Sequence, residues 1–422
     1  MIKLQLHWQI IIAMGLAALA GAMTEMDSSL IGINVYAIYD FFGQMFLNAL
    51  KMIIVPLIAA SIITGMAGAG QSSAFGRLGL KTLTYYITTS LIAITIGLVL
   101  VDLISPGEID GIPIKDQLGL SADTSETLAK TEGKGPADIA QVFIRMIPTN
   151  VIAAAANGQL LGLIFFCLLF GFFITKIKEQ YKKALLDFWH GVFEVMMHLT
   201  DWVMKFAPIG VFALVAGIVT QTGLDVFIPL FWFVLTVLLA LATHTFVALP
   251  LLLKLVGRVN PVRQYRAMAP AMLTAFSTAS SSATLPLTME CVEKNAGVSN
   301  RTTSFVLPLG ATVNMDGTAL YECVAAIFIA QAYGLEMSFA TQFTVVLIAL
   351  MTSIGVAGIP AASLVAIVVI LGSIGLPAEG IGLILAVDRI LDMFRTSVNV
   401  FSDSCGAVII ARTEGEQDIL TR

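Results

Sequence analysis

The stretch Asp388-Arg-Ile-Leu-Asp-Met-Phe-Arg-Thr-Ser-Val-Asn-Val-Phe-Ser-Asp403 decides how this chain is read. It spaces Asp388, Asp392, Arg395, Asn399 and Asp403 at steps of four, three, four and four. At 100° per residue, those five side chains share an arc of roughly 80° on one helix. The surrounding residues are Ile, Leu, Val and Met, and the apolar run extends from Ile381 to Ile410, so the polar face is expected at membrane depth. An ionisable residue there is a functional-site candidate by default. Three carboxylates and one guanidinium suit a small zwitterion held beside cations better than a pore of one sign. The pattern points to a carrier.

Composition supports a membrane setting. The 422 residues are 57% hydrophobic and 12% charged, against roughly 25% charged in an ordinary soluble chain. The net charge of −5 says little, because orientation follows where Lys and Arg sit near the spans, and nucleic acid is not an expected partner. Cys167, Cys291, Cys323 and Cys405 lie singly among apolar residues and read as packing groups. His7, His190, His198 and His244 are scattered and read as interfacial or packed side chains. The first apolar run, Trp8 to Met23, could imitate a secretory signal, but hydrophobic segments continue along the chain and a first span is the better reading.

Apolar segments recur at about 8–26, 36–68, 80–104, 140–174, 186–220, 226–255, 303–333, 340–372 and 378–411. Arg77 and Lys81, Lys176 to Lys183, and Lys254 to Arg266 follow alternate segments, which places them and the N-terminus on a cytoplasmic face. Ser105 to Asp138 is polar, Gly-rich and acidic, and reads as a mobile external loop.

Three polar or small-residue stretches interrupt the hydropathy of the C-terminal half. They are Phe276-Ser-Thr-Ala-Ser-Ser-Ser-Ala-Thr-Leu-Pro286, Gly310-Ala-Thr-Val-Asn-Met-Asp-Gly-Thr318 and Ser353-Ile-Gly-Val-Ala-Gly-Ile-Pro-Ala-Ala-Ser363. Backbone released from a helix at membrane depth is tolerated only where protein or a water-filled cavity satisfies it. The first and third interruptions each split an apolar stretch into two short arms, suggesting re-entrant helical hairpins. Half-helix N-termini can donate to a carboxylate, and unwound carbonyls can hold a cation. Small residues also serve plain helix packing. That reading is harder to apply to Asp316, because a buried aspartate costs about 2.5–3.5 kcal/mol on insertion scales unless it has a partner.

These interruptions, taken with the polar face, resemble the dicarboxylate/amino acid:cation symporter family, which includes the glutamate and aspartate transporters. Further matching stretches are Lys51-Met-Ile-Ile-Val-Pro56, Ile147-Pro-Thr-Asn150, Ala156-Asn-Gly-Gln159 and Ala207-Pro-Ile-Gly-Val-Phe-Ala213. The resemblance covers nearly the whole chain. It implies an all-α polytopic membrane protein with eight transmembrane helices, two re-entrant hairpins and inverted repeats. It further implies a homotrimer in the cell's inner membrane with both termini cytoplasmic, working by an elevator movement. Residues 1–75 and 139–222 would form the scaffold part. Residues 76–105 and 223–422 would form the transport part, and 106–138 the external loop. Hairpin one would lie at about 265–290 on the cytoplasmic side, and hairpin two at about 340–372 as an outer gate.

The site residues follow by position. Arg395 matches the residue that pairs with a substrate's side-chain carboxylate, and Asp392 the one that meets its amino group. Thr318, Thr396 and Asn399 match further polar contacts. Ser281 and Ser282, with Gly358 and Ile359, match positions that receive the main-chain carboxylate. One family sodium site maps onto Gly310, Asn314, Asn399 and Asp403, and another onto Tyr86, Thr89, Ser90, Asn314 and Asp316. A third maps onto carbonyls at Thr312, Ser353, Ile354 and Val356. Oxygen-only ligand sets suit a hard cation.

Asp388 reads as structural or functional alike, since its neighbour Arg389 could neutralise it. Archaeal relatives place a second arginine just before the hairpin-one serines, and animal relatives beside the helix-eight aspartate. Here those positions hold Ala279 and Met393, so potassium countertransport, tied in animal relatives to that arginine, loses its support. Glu322 matches the animal pattern's proton carrier, and a carboxyl in an apolar pocket can exchange a proton near neutrality.

The resulting expectation is sodium-coupled uptake of L-aspartate or L-glutamate, with proton cotransport through Glu322. C4-dicarboxylate uptake would leave Asp392 without an ammonium, and neutral amino acid uptake would leave Arg395 without an anion. An ion channel is the alternative of a different class. A hydrolase built on Ser280 to Ser282 lacks a His or Lys in dyad spacing.

Overall fold

In a computed structural model, residues 6–30, 32–69, 77–109, 111–114, 144, 146–157, 160–335, 337–353, 362–376 and 378–421 are described. The chain is mostly helical. The N-terminal elements are α1 (Leu6–Ala22), α2 (Val35–Ala69), α3 (Arg77–Ile104), α4 (Val151–Ala156), α5 (Leu160–Ile174), α6 (Glu179–Met204) and α7 (Ala207–Thr222). Next come α8 (Phe227–Thr243), a π-type turn at 244–248 and α9 (Leu249–Leu255). The remaining elements are α10 (Pro261–Thr278), α11 (Ser281–Glu290), α12 (Asn300–Val313), α13 (Asp316–Ala332), α14 (Phe339–Ser353), α15 (Ala362–Ile374) and α16 (Gly382–Thr413). Two short antiparallel ribbons pair Ser29–Leu30 with Ile33–Asn34 and Glu108–Ile109 with Ile112–Pro113.

Four described spans are long and apolar enough to cross a membrane: Val35–Ala67, Arg77–Ile104, Phe227–Leu255 and Asn300–Ala332. A fifth arises if α6 and α7, bent by 53° at their junction, form one broken span. The expected single segment at 186–220 is therefore two helices. Pro208 at the start of α7 accounts for the break, because proline is tolerated in a first helical turn but not in a continuing ladder. Trp8, Ile12, Leu16, Phe231, Trp232 and Phe246 all face outward. Water would not tolerate that belt, whereas lipid tails suit it.

Two groups of helices pack within themselves. α1 and α2 both lie against α7, and α2 also packs on α5 and α6. In the second group α13 contacts α3, α8, α14, α15 and α16, while α10, α11 and α12 lie against α16. Every residue of α13 except Gln331 is buried. This central helix places Asp316 and Glu322 in the interior.

The interruptions take different forms. Between α10 and α11, Ala279 adopts φ 48°, and Ser280 caps the second arm by accepting from the Ala283 N–H at 3.2 Å. The two arms pack on each other. Between α12 and α13 the backbone is extended at Asn314 and non-helical at Met315, so one span is divided at its middle. α14 and α15 also pack together, and the tip joining them, residues 354–361, lies outside the described residues.

At one end of the molecule the C-terminal tail meets the basic residues grouped above. Lys81 and Arg77 reach Glu414, and Arg263 donates to the Leu420 and Thr421 carbonyls.

Candidate functional site

The polar face of α16 is opposed along its length by the broken α12–α13 span. Near its first turns, Arg395 is fully buried, and its Nη2 lies 3.1 Å from Asp388 Oδ1 and 3.1 Å from Asp392 Oδ1. The guanidinium carbon sits 3.8 Å from the centroid of the Tyr321 ring, in cation–π geometry. Arg395 Nε and Nη1 are buried and have no hydrogen-bond partner among the described residues. Buried guanidinium N–H donors left over after Asp388 and Asp392 are paired on Nη2 suit an added anion such as a carboxylate.

The expected neutralisation of Asp388 by Arg389 is corrected. Arg389 Nη1 reaches Asp392 Oδ2 at 3.1 Å, and Asp388 pairs with Arg395 instead. Residues one apart on a helix do not face each other, whereas residues three apart do. Asp392 thus lies between two arginines, and its side chain is 18% exposed. Thr396 is buried and donates to the Asp392 carbonyl at 2.8 Å.

Asn399 joins the two ends of the face. Its Oδ1 accepts from the Gly317 N–H at 2.8 Å, and its Nδ2 donates to Thr318 Oγ1 at 3.0 Å. Gly317 has no room for a side chain, since a Cβ there would stand 2.8 Å from the Arg395 carbonyl oxygen.

Further along α16 the character changes to a cluster of oxygens. Asn314 Nδ2 donates to Asp403 Oδ1 at 2.9 Å, and Thr89 Oγ1 lies 3.4 Å from Asn314 Oδ1. Asp316 accepts from Ser90 at 2.7 Å and from Ser402 at 2.5 Å, and lies 3.2 Å from His244 Nε2. Tyr86 donates to the Val306 carbonyl at 2.7 Å. Gly310 is held open, because a Cβ would fall 2.6 Å from both Asp403 Oδ1 and Tyr86 Oη. Its own carbonyl accepts from the Asn314 N–H at 2.8 Å. Among the described residues no trio of His, Cys, Asp or Glu could hold a metal ion. Single carboxylates mixed with hydroxyl, amide and carbonyl oxygens suit a hard monovalent cation.

The structure therefore brings together Tyr86, Thr89, Ser90, Gly310, Asn314, Asp316, Asn399 and Asp403, with Thr318, Asp392, Arg395 and Thr396 along the same face. Ser281 is buried at the start of α11, which packs on α16, while Ser282 is exposed. Thr312 lies in the last turn of α12 and Ser353 closes α14, where helix carbonyls lack an intrahelical partner. Ile354, Val356, Gly358 and Ile359 lie outside the described residues. Glu322 is buried and accepts from Thr352 at 2.7 Å.

Four contributors went unselected in the sequence. His244 is packed, as expected, but against Asp316. Ser402, Thr352 and Tyr321 each touch a selected residue from the side. Ser402, Tyr321 and Thr352 carried one local signal, as chain neighbours of Asp403, Glu322 and Ser353.

Comparison with known proteins places this geometry in a family. The chain is 36% identical to the proton/sodium-glutamate symport protein of Bacillus caldotenax over 98% of its own length and 96% of the relative's. It is 34% identical to the proton/glutamate-aspartate symporter of Escherichia coli K12 over 99% and 94% of the two chains. Identity to human excitatory amino acid transporter 3 is 38% over 95% and 84%. The model of the sodium:dicarboxylate symporter family matches residues 6–413. The chain belongs to the sodium:dicarboxylate symporter family.

Proposed function

We propose that this chain carries L-aspartate or L-glutamate across the cell's inner membrane, driven by sodium and accompanied by a proton on Glu322. The observation that carries this reading is Arg395, a buried guanidinium beside Asp392 with two nitrogens that have no partner among the described residues. The side-chain carboxylate of the amino acid takes a free Arg395 donor, and its ammonium takes Asp392. Ser281 and Ser282, with Gly358 and Ile359, receive the main-chain carboxylate, and Thr318, Thr396 and Asn399 complete the polar lining. Sodium ions occupy the oxygen clusters built on Gly310, Asn314, Asn399 and Asp403 and on Tyr86, Thr89, Ser90, Asn314 and Asp316. A third occupies the carbonyls of Thr312, Ser353, Ile354 and Val356.

The association of α1 and α2 with α5 to α7, and of α3 and α8 with α10 to α16, supports a division into scaffold (1–75, 139–222) and transport (76–105, 223–422) parts that meet along a shared apolar core. The transport part moves as an elevator against a homotrimeric scaffold, with α10–α11 and α14–α15 as the two hairpins among eight spans. The contact of the tail with Arg77, Lys81 and Arg263 supports a C-terminus on the basic, cytoplasmic side.

The decisive experiment is uptake of labelled aspartate into proteoliposomes under an imposed sodium gradient. Accumulation that collapses when the gradient is dissipated is expected, and uptake indifferent to sodium would overturn the proposal. A panel including succinate and serine separates the acidic amino acid from a dicarboxylate and from a neutral one.

A further inference from the structure

The two carboxyl oxygens of Glu322 are treated differently. Oε2 accepts from Thr352 Oγ1 at 2.7 Å, whereas Oε1 is buried with no partner among the described residues. Thr352 is fully buried and sits one residue before the end of α14, the arm that leads to the second tip. Its hydroxyl also lies 2.9 Å from the Ile348 carbonyl and 3.0 Å from the Ala349 carbonyl.

A hydroxyl owns one proton and two acceptor lone pairs, so it cannot donate to all three oxygens at once. Two complete arrangements therefore fit the same heavy-atom positions. With Glu322 charged, Thr352 donates to Oε2. With Glu322 protonated, the carboxyl O–H donates to Thr352 Oγ1, and the threonine proton turns to the Ile348 or Ala349 carbonyl. Only hydrogens move.

Little else faces the carboxyl. α8, α14 and α15 carry no titratable residue. From α16, Arg395 is the charged group whose field reaches Glu322. α3 contributes Asp102, which acts on the neighbouring Cys323, while Tyr85 and Tyr86 face Asp316 and Asp403.

We infer that Thr352 is a positioning residue for proton binding at Glu322, an amphoteric partner that holds the carboxyl in one place in both of its protonation states. Because the hydroxyl belongs to α14, the protonation state of Glu322 is felt directly by the arm that ends at Ser353. This inference rests on Glu322 being the proton carrier.

The test is the pH profile of sodium-driven aspartate uptake in proteoliposomes made with Thr352→Val, Thr352→Ser and Glu322→Gln. Valine keeps the shape of threonine but cannot donate, so the charged carboxyl loses its only hydrogen bond among the described residues. The expected result is a profile displaced to higher pH by about one unit, the amount by which a hydrogen bond to a charged group exceeds one between neutral groups. Thr352→Ser is expected to restore the parent profile. A valine profile that coincides with the parent overturns the inference, and so does a displaced profile that serine does not restore, because packing would then be the cause. Should the valine variant fail to insert, Thr352→Cys, a weak donor, must displace the profile in the same direction, and an unmoved profile overturns the inference. Glu322→Gln separates the two levels. Loss of pH dependence in Glu322→Gln with an unmoved Thr352→Val profile removes Thr352 alone, whereas a Glu322→Gln variant that keeps the parent's pH dependence removes the carrier and the inference together.

Discussion

The two ends of the α16 face treat hydrogen-bonding capacity in opposite ways. Around Asp388 and Asp392 the surplus is in donors, since Arg395 Nε and Nη1 and Arg389 Nε are buried without partners among the described residues. Around Asp403 the surplus is in oxygens, drawn from Asn314, Asp316, Ser90, Thr89 and Tyr86. One end offers spare donors that suit an anion and the other is shaped for cations. Eight residues separate Arg395 from Asp403, which is about 12 Å along a helix. Asn399 and Gly317 bridge that gap, because the break in the α12–α13 span presses directly on the Arg395 backbone. Substrate and sodium would therefore share one piece of backbone, a short physical route for coupling.

The strongest way to break this contrast is at the donor end. Replacing Arg395 with Cys removes these donors, strips Asp388 of its arginine and leaves Asp392 to Arg389 alone. Losing one partner of a buried charge pair costs about 2–5 kcal/mol, so aspartate affinity should fall by roughly 30-fold or more. Competition assays against labelled aspartate check this, with serine as the control that gains relative to aspartate. Unchanged aspartate affinity would remove the anion from this end and with it the contrast.

How legible each end was depends on where its partners lie in the chain. The α16 face could be read because all of its polar groups recur at helical spacing within one element. The breaks at Ala279 and Asn314 were visible because Ser, Asn and Gly runs at membrane depth have few helical explanations. Arg389 was read against its chain neighbour Asp388, although an i,i+3 step is what lets it meet Asp392. His244, Thr352 and Tyr321 could not be found in this way. Their partners sit on other helices, and pairing across elements depends on a packing that periodicity does not encode. His244 lies in a π-type turn, where the helical phase shifts and turns a side chain away from its expected face.

A smaller effect is expected at the oxygen end from Gly310→Ala. The added methyl would stand 2.6 Å from Asp403 Oδ1 and Tyr86 Oη, so both must retreat. Overpacking of this kind costs about 1–3 kcal/mol. The sodium concentration for half-maximal uptake should rise about tenfold, while aspartate affinity at saturating sodium stays within about twofold. Titrating uptake against sodium at fixed aspartate measures the first, and the reverse titration the second. Equal losses in both would merge the two ends into one site.

The smallest effect sharpens the contrast by supplying a carboxylate that serves the fold alone. Glu416, beyond the end of α16, accepts from the Ser299 N–H at 2.8 Å and from the Ser299 and Thr302 hydroxyls, each at 2.7 Å. It thereby caps the N-terminus of α12, where unpaired amide donors and the helix dipole favour an anion. Burial pushes its carboxyl up, but the Ser299 and Thr302 hydrogen bonds and the Arg301 charge outweigh it and hold the group below the ordinary glutamate value. A carboxyl depressed in the folded state stabilises above its unfolded value, and that contribution is lost as pH falls through the folded one. The cap should therefore be intact at neutral pH and loosen only in acid. Glu416→Gln at pH 7 should cost about 1 kcal/mol, the usual worth of a helix cap. Hydrogen exchange at the start of α12 should quicken several-fold, with sodium and aspartate affinities unmoved. A change in either affinity would mean that this end of the α12–α13 span communicates with the oxygen cluster fourteen to sixteen residues away in sequence.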